Sequence, residues 1–568
     1  MISRSGDECV VTLAAQWYMD YGEDSWKKLA IECLDGLNTY HDETRHAFRK
    51  TLDWLNQWAC SRSFGLGSRL PWDKEWLIES LSDSTIYMAY YTVAHILQQG
   101  SLDGSKPGPG NIKPEQMTDA VWSYIMLGAE YPKDSKIPKE TLEKLRREFN
   151  YFYPLDLRCS GKDLINNHLT FFLYNHTAVF PKDKWPKGIR ANGHLLINNE
   201  KMSKSTGNFM MLREALDKYG SDAVRFALAD AGDSVEDANF VEKTADDAIL
   251  KLFTEREWIE ETLNRTDLRK GPLSWYDRLF IAEMDRIIRL GDAAYENMLF
   301  REAVRLCFYD LQTARNEYRK AVIPAGNSDP SEVFELFHKD VVRRYIEVQA
   351  VIMSPIIPHW SEYIWQDALK QTSSILNARW PETRQEDLSI LAAGAYIRDV
   401  VSKIRSTEDA LAKKKAKKGG ATTTTLGDEP KTLYLYIALA FPDWQTQTVD
   451  ILKKAWDEKT ESFTGSEKEL FAAAGLMKDK RTMPFAQTIK KLVETNGSKS
   501  FDRCLLFAEY ETLENNKDYV RRELSGLKVC GIKLIKKEEI VIGQDGMTDE
   551  DFKKADFALP GIPTYRLV

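Results

Sequence analysis

Two lysines separated by two residues, Lys201 and Lys204 in the run Lys201-Met202-Ser203-Lys204-Ser205, combine type and spacing in a way that could do chemistry. The run continues into Thr206-Gly207-Asn208 and reads as a glycine-containing loop. Ammonium groups on long stems are mobile point charges, so two on one loop can close around a triphosphate from one side. A phosphoryl-type transition state is stabilised chiefly by positioning and positive charge. A solvated Lys/Ser turn is the alternative that these five residues leave open.

The elements around the run must position it. Upstream, Leu155 to Cys159 reads as a short strand, Gly161-Lys162-Asp163 as a turn and Leu164 to Val179 as a helix. A strand feeding a helix through a glycine turn is the unit of a parallel α/β sheet, whose ligands bind beyond the carboxyl ends of the strands. Phe48, Leu52, Leu55 and Ala59 fall at helix-face spacing, as do Ile86, Tyr90, Val93 and Leu97 behind Asp83 as N-cap. Between these helices lies the glycine-rich loop Arg62 to Gly67, running into Pro71-Trp72. Residues 1–245 thus read as α/β. Residues 246–392 read as an α-helical bundle, with Val333, Leu336, Phe337, Val341 and Val342 on one side. Residues 393–430 read as a helix followed by a Lys/Gly/Thr-rich linker that includes Lys413 to Lys418 and Thr422 to Thr425. Residues 431–568 read as a small α+β domain, with strands expected at Thr432 to Phe441, Cys504 to Tyr510 and Val529 to Ile535.

Composition narrows the function classes. The 568 residues carry 78 basic and 86 acidic side chains, a net charge of -8, so local patches must hold any polyanion. No uninterrupted apolar run approaches the ~18 residues of a spanning helix; the longest is Tyr434 to Phe441. Seven cysteines without a CxxC pair argue against a zinc site or a disulfide framework and read as reduced, mostly buried thiols of a cytosolic protein. Met1 to Leu13 lack the apolar core of a secretion signal, and the chain reads as beginning inside a fold.

The lysine run is the signature of class I aminoacyl-tRNA synthetases. The stretches Ile2 to Val11, Cys60 to Gly67, Leu70 to Asp73, Ser82 to Ala89 and Ser160 to His168 resemble the leucyl-tRNA synthetases of the eukaryotic cytosolic type. The resemblance continues through Ala229 to Asp233 and Ser354 to His359, as far as about residue 390, and weakens beyond the linker. It implies a Rossmann-like half domain, then the bundle and the α+β domain. It also implies activation of leucine with ATP and Mg²⁺, then transfer to the terminal ribose of a leucine tRNA, in the cytoplasm and without zinc or membrane attachment.

In that scheme Lys204 neutralises charge developing on the phosphates, Lys201 assists, and the backbone near Met202 lies beside the adenine, with Ser203 and Ser205 in the same ATP-binding run. Gly161, Asp163 and His168 match the family's Gly-x-Asp-x4-His nucleotide element: the glycine permits close approach and the carboxylate accepts from ribose hydroxyls. A strand-to-helix turn also carries Gly and Asp for local reasons, and His168 reads equally as a core histidine. Ser84 and Tyr87, one helical turn apart, sit where the family lines its leucine pocket. Tyr87, Tyr90 and Tyr91 on an apolar helix also fit an ordinary core.

The family's His-x-Gly-His element and its editing domain have no counterpart here; Gly193-His194 is the one Gly-His pair. The expectation is a carboxyl-terminal portion, inactive or very weak alone, partnered by a complementary amino-terminal half or a multi-synthetase assembly. The different-class alternative is a noncatalytic tRNA-binding or scaffold fragment. It rests on the bundle and on the basic clusters Lys478 to Arg481, Lys490-Lys491, and Lys533 with Lys536-Lys537, each of which also reads as solvated surface. Another nucleotidyl transferase with the same lysine loop is disfavoured by the bundle that follows the α/β segment.

Overall fold

Small sheets set among many helices make up the chain. Its computed structural model describes residues 2, 6–10, 15–100, 105–203, 207–322, 336–417, 429–465, 467–541 and 547–568. Lys204, Ser205, Val333 and Thr422 to Thr425, singled out above, lie outside the described residues. The chain divides into two compact units: Met1–Arg256, Gly291–Arg305 and Pro355–Trp360 form the first, and Glu257–Leu290, Leu306–Ser354 and Ser361–Val568 the second.

In the first unit β1 (Tyr18–Asp20) pairs antiparallel with β2 (Gln57–Ala59), and β3 (Ser61–Arg62) with β4 (Leu77–Ile78). The pair that matters for the site is β5 (Arg158–Gly161) and β6 (Ile189–Asn192), parallel, with Arg158 opposite Ile189 and Gly161 opposite Asn192. Helix Thr170–Val179 connects them. Parallel strands need such a crossover, and this one supplies core: Phe171, Phe172, Leu173 and Tyr174 are fully buried in the cluster that also holds Ile189 and Ala191 of β6. β7 (Leu195–Ile197) then lies between β8 (Glu200–Lys201), antiparallel to it, and β9 (Ala238–Phe240), parallel to it.

Local structure departs from the sequence reading at several points. Ala59 belongs to β2, because helix Asp42–Trp54 ends before Leu55. Asp83 does not cap helix Tyr87–Leu97, whose N-cap is Ile86. Its carboxylate instead accepts from the Ser68 N–H at 2.7 Å and the Ser68 hydroxyl at 3.1 Å, anchoring the glycine-rich loop. The strand expected from Leu155 starts only at Arg158. The helix expected from Leu164 begins with a wide π turn over Ile165–Leu169, where the Thr170 hydroxyl donates to the Ile165 carbonyl at 2.6 Å. Of the seven thiols only Cys33, Cys60 and Cys307 are buried; Cys9, Cys159, Cys504 and Cys530 are exposed.

The second unit is helical up to Lys417, the end of helix Leu388–Lys417, which takes in the first lysines of the expected linker. β10 (Lys431–Ile437) follows and is the centre of a three-stranded sheet. β11 (Trp456–Asp457) and β12 (Ser462–Phe463) form a separate small hairpin. β13 (Val529–Lys536) runs parallel to β10, and β14 (Thr564–Leu567) antiparallel. Leu433, Leu435 and Ile437, alternate residues of β10, share a core with Ile397, Val400, Val401 and Ile404 at helical spacing. Cys504 to Ala508 is irregular and Glu509–Asn515 is helical, contrary to the strand expected there. The apolar run misled because Leu506 is exposed while Phe507 packs against Tyr396, rings 5.1 Å apart. No described helix is long and apolar enough to cross a membrane.

His176 is a core histidine. It is fully buried between Phe172 and Phe180; its Nδ1 lies 3.0 Å from the Phe172 carbonyl and its Nε2 3.0 Å from the Tyr153 hydroxyl. Burial pushes its pKa down to about 4. The unfolded chain, with an ordinary histidine near 6.5, binds the proton first. The stabilisation is therefore complete above pH 6.5 and lost as pH falls to about 4, on the order of 3 kcal/mol in all. Thermal unfolding across that window should show this loss, and His176→Gln should flatten the slope while lowering stability at pH 7.

Candidate functional site

β5 ends at Gly161, and the chain turns through Lys162–Leu164. Gly161 has ordinary extended dihedrals, and a Cβ there would meet only the end of the exposed Asp163 side chain, Oδ1 at 2.6 Å, which can swing aside. The exposed Asp163 carboxylate folds back over the strand end, 3.9 Å from His194 Nε2. Lys162 Nζ lies 2.7 Å from Asp237 Oδ1, which also accepts the His194 backbone N–H at 2.8 Å. The Lys162 hydrogen bond, and then the one from His194, hold Asp237 below the usual carboxylate range. Lys162, Asp163, His194 and Asp237, from three segments, thus meet at the carboxyl ends of β5 and β6, where parallel sheets place ligands.

Of these four, the sequence reading singled out only Asp163. The signal for the others was available in Gly193-His194. Gly193 passes so close to the next segment that a Cβ would lie 2.0 Å from the Glu236 carbonyl oxygen. Only glycine fits that approach, and the following His194 is delivered to Asp237.

β7 and β8 form a hairpin whose turn residues, Asn198 and Asn199, both have positive φ. Asparagine tolerates that region better than most residues, and two in succession make the twist that suits a tight hairpin. Lys201 ends β8 and is exposed; Met202 and Ser203 are half-buried. The Ser203 N–H donates to the Asn208 carbonyl at 2.8 Å, and Asn208 Nδ2 donates to the Lys201 carbonyl at 3.2 Å. Lys201 and Ser203 are thus both tied to Asn208, and Gly207 has φ +73°.

The remaining three candidates meet one another. His168 is buried, with Nδ1 3.1 Å from Ser84 Oγ and 3.1 Å from the Leu81 carbonyl. Its Nε2 lies 2.9 Å from Arg158 Nη2, and Arg158 Nη1 donates to the Tyr87 hydroxyl. Ser84 and Tyr87 flank the break between helices Ser80–Asp83 and Tyr87–Leu97, so both reach His168 or its partner. Burial holds His168 below the ordinary histidine range; the Leu81 carbonyl opposes this and the Arg158 charge adds to it. His168 is thus a neutral hydrogen-bonding group at neutral pH. Arg158, which the sequence reading missed, is the hub of this cluster. Among the described residues no group of three or more His, Cys, Asp or Glu side chains could hold a metal ion.

The chain matches the family described as class I tRNA synthetases (M) over residues 118–251, the anticodon-binding domain of tRNA ligase over residues 277–423, and the RagD-binding domain of leucine--tRNA ligase over residues 437–505. It is 45% identical to a cytoplasmic leucine--tRNA ligase of Neurospora crassa, an alignment covering 100% of this chain and 51% of that protein. Cytoplasmic leucine--tRNA ligases of Saccharomyces cerevisiae and Pongo abelii are each 43% identical, over 99% and 96% of this chain and 51% and 46% of theirs. The chain spans about half the length of the curated relatives it matches. A solved Mycobacterium tuberculosis methionyl-tRNA synthetase in complex with methionyl-adenylate is similar at 15% identity with a TM-score of 0.45, over 66% of this chain and 71% of that one.

Gly193→Ala should force the Glu236 segment away and cost about 1–3 kcal/mol, moving the His194 imidazole resonances as the Asp237 contact opens. Gly36→Ala, at the end of helix Asp24–Gly36 with no atom within 4 Å of the added carbon, should be neutral or slightly stabilising. Equal melting temperatures for the two variants would contradict the close-approach argument.

Proposed function

We propose that this chain, which belongs to the cytoplasmic leucine–tRNA ligase family, works in the ATP-dependent activation of leucine and its transfer to a leucine tRNA in the cytoplasm. The observation that carries this reading is the convergence of Lys162, Asp163 and His194 at the carboxyl ends of β5 and β6, in the unit whose β7–β8 hairpin carries the lysine loop. Residues 1–245 act as the carboxyl-terminal part of a Rossmann-like catalytic domain. Residues 246–392, the linker of 393–430 and the α+β domain of 431–568 serve tRNA binding, a role that the anticodon-binding match over residues 277–423 supports for the helical part.

The chemistry asks little covalent work of the protein. The leucine carboxylate attacks the α-phosphate and pyrophosphate leaves; a ribose hydroxyl of the tRNA then attacks the leucyl carbonyl and AMP leaves. The carboxylate is already a nucleophile, so alignment and charge neutralisation carry the first step. Lys204, with Lys201, neutralises the phosphates, and the backbone at Met202 borders the adenine. Gly161 leaves room for the nucleoside, and Asp163 accepts from its ribose hydroxyls. His168, neutral and buried, orients and does not supply charge. Ser84 and Tyr87 line the leucine pocket. Mg²⁺, where bound to the triphosphate, would shield its charge.

A second reading has its own support: the RagD-binding match over residues 437–505 favours a protein partner of that kind for the last domain. Both roles can coexist in one chain.

Leucine-dependent ATP–pyrophosphate exchange tests the reading. The 568 residues alone should give background exchange and bind leucine tRNA with strong salt dependence. Joined to the amino-terminal half of the Neurospora relative, they should exchange, and Lys204→Ala in that chimaera should lower the rate about 100-fold. A folded chimaera that binds tRNA but never exchanges would leave the noncatalytic reading.

A further inference from the structure

In the second unit Arg269, Arg344 and Arg398 each pair with a carboxylate that is itself mostly buried, Asp277, Asp285 and Glu283. Arg503 is half-buried too, yet its one hydrogen bond runs from Nη2 to Gln445 Oε1 at 2.6 Å, and among the described residues no carboxylate pairs with it. Two rings hold it instead: the guanidinium carbon lies 3.5 Å from the Phe441 ring centre and 5.1 Å from that of Phe485. Such contacts orient a guanidinium and attract it modestly, but they add no negative charge. Burial lowers its pKa with no acid opposing, although an arginine keeps its proton all the same. Gln445 takes one corner of the planar fork, and Nε–H and the Nη1 hydrogens remain open to an acceptor.

The surroundings add positive potential. Phe441 precedes Pro442, the N-cap of helix Asp443–Ala455, and Phe485 lies in the first turn of helix Thr482–Asn496, which has no acidic residue there. Trp444 of the first helix and Phe485 of the second have ring centres 5.4 Å apart, so the two helices bring their amino-terminal, electropositive ends together. Arg481 extends the stack, 4.9 Å from the Trp444 ring, but Asp479 neutralises it at 2.8 Å. Lys478 and Lys480 of the same basic cluster are exposed. Of the acids nearest in sequence, Asp502 faces Lys453 at 3.8 Å and Asp443 is exposed. Leu439, Leu505 and Leu506, two or three residues from the stack along the chain, are exposed as well. One oriented cation among aromatic and apolar side chains has the makings of a protein interface anchor, whereas nucleic acid is held by cations spread over several phosphates.

We propose that Arg503, held between Phe441 and Phe485, is a carboxylate-recognition site through which an acidic side chain of a partner protein docks on the last domain. The seat stands on its own geometry; that the occupant belongs to a protein rests on the second reading of residues 437–505.

Two measurements keep these apart. In the unaltered 568-residue chain, phenylglyoxal should modify Arg503, and excess polyglutamate should suppress that modification in peptide mass mapping while Arg213, exposed in the first unit, is labelled as before. An Arg503 that the reagent does not reach, or whose labelling polyglutamate leaves unchanged, overturns the seat. Against a purified GTPase of the RagD kind, Arg503→Gln should weaken binding about tenfold and Arg503→Lys should recover part of it. Arg481→Gln, whose cation Asp479 already neutralises, should change little. No binding of the GTPase to the unaltered chain, or equal affinity for Arg503→Gln, overturns the protein occupant. Loss of leucine-tRNA binding in Arg503→Gln with GTPase binding unchanged would overturn it too and give the seat to RNA phosphates.

Discussion

At the end of β6 the backbone of Gly193 passes the Glu236 carbonyl with no room for even a methyl group between them. The site depends on that approach. It turns the segment before β9 toward the strand ends, so that Asp237 binds both the Lys162 ammonium and the His194 backbone. It also starts β7 in register with β9, and β7 in turn carries the hairpin on which the lysine loop is mounted. Any side chain at 193 would push these apart together.

Electrostatics follows the same geometry. The chain is acidic overall, so attraction for a polyanion has to be local and short-ranged. Lys162 is partly neutralised by Asp237, whereas Lys201 stands exposed at the end of β8. The two carboxylates at the strand ends suit hydroxyl groups better than phosphates. Cationic groups suit phosphates, whose charge they neutralise as it develops. Below this surface layer, Arg158 ties the helix of Tyr87 to the π turn of His168.

What the sequence disclosed, and what it hid, divides by range. The turn at Gly161 to Asp163 and the loop that opens at Lys201 are short-range features whose residues lie within a few positions of one another. They were legible, as was the apolar run behind the strand expected at Thr432 to Phe441, which the structure forms over Lys431–Ile437. Contacts across long stretches of chain were not. Nothing in the vicinity of Arg158 marks it as a partner of Tyr87, 71 residues away, and Asp237 reaches His194 across 43. The end of helix Asp42–Trp54 and the fate of Asp83 escaped for a related reason. Periodicity carries on through Leu55 and Ala59, but β-pairing with β1 captures Ala59, and the glycine-rich loop takes the carboxylate that would otherwise have capped a helix. Cys504 to Ala508 shows the limit of apolar composition, since such a run packs only where a neighbour exists to receive it.

Binding of an adenine nucleotide at the carboxyl ends of β5 and β6, as proposed, is open to direct chemical mapping. Periodate-oxidised ATP, which presents its ribose as a dialdehyde, forms imines with nearby lysines that borohydride fixes for peptide mass mapping. Lys162, Lys201 or Lys204 should be modified, and excess ATP should suppress the labelling. Labelling confined to lysines of the second unit, or labelling that excess ATP leaves unchanged, would contradict it.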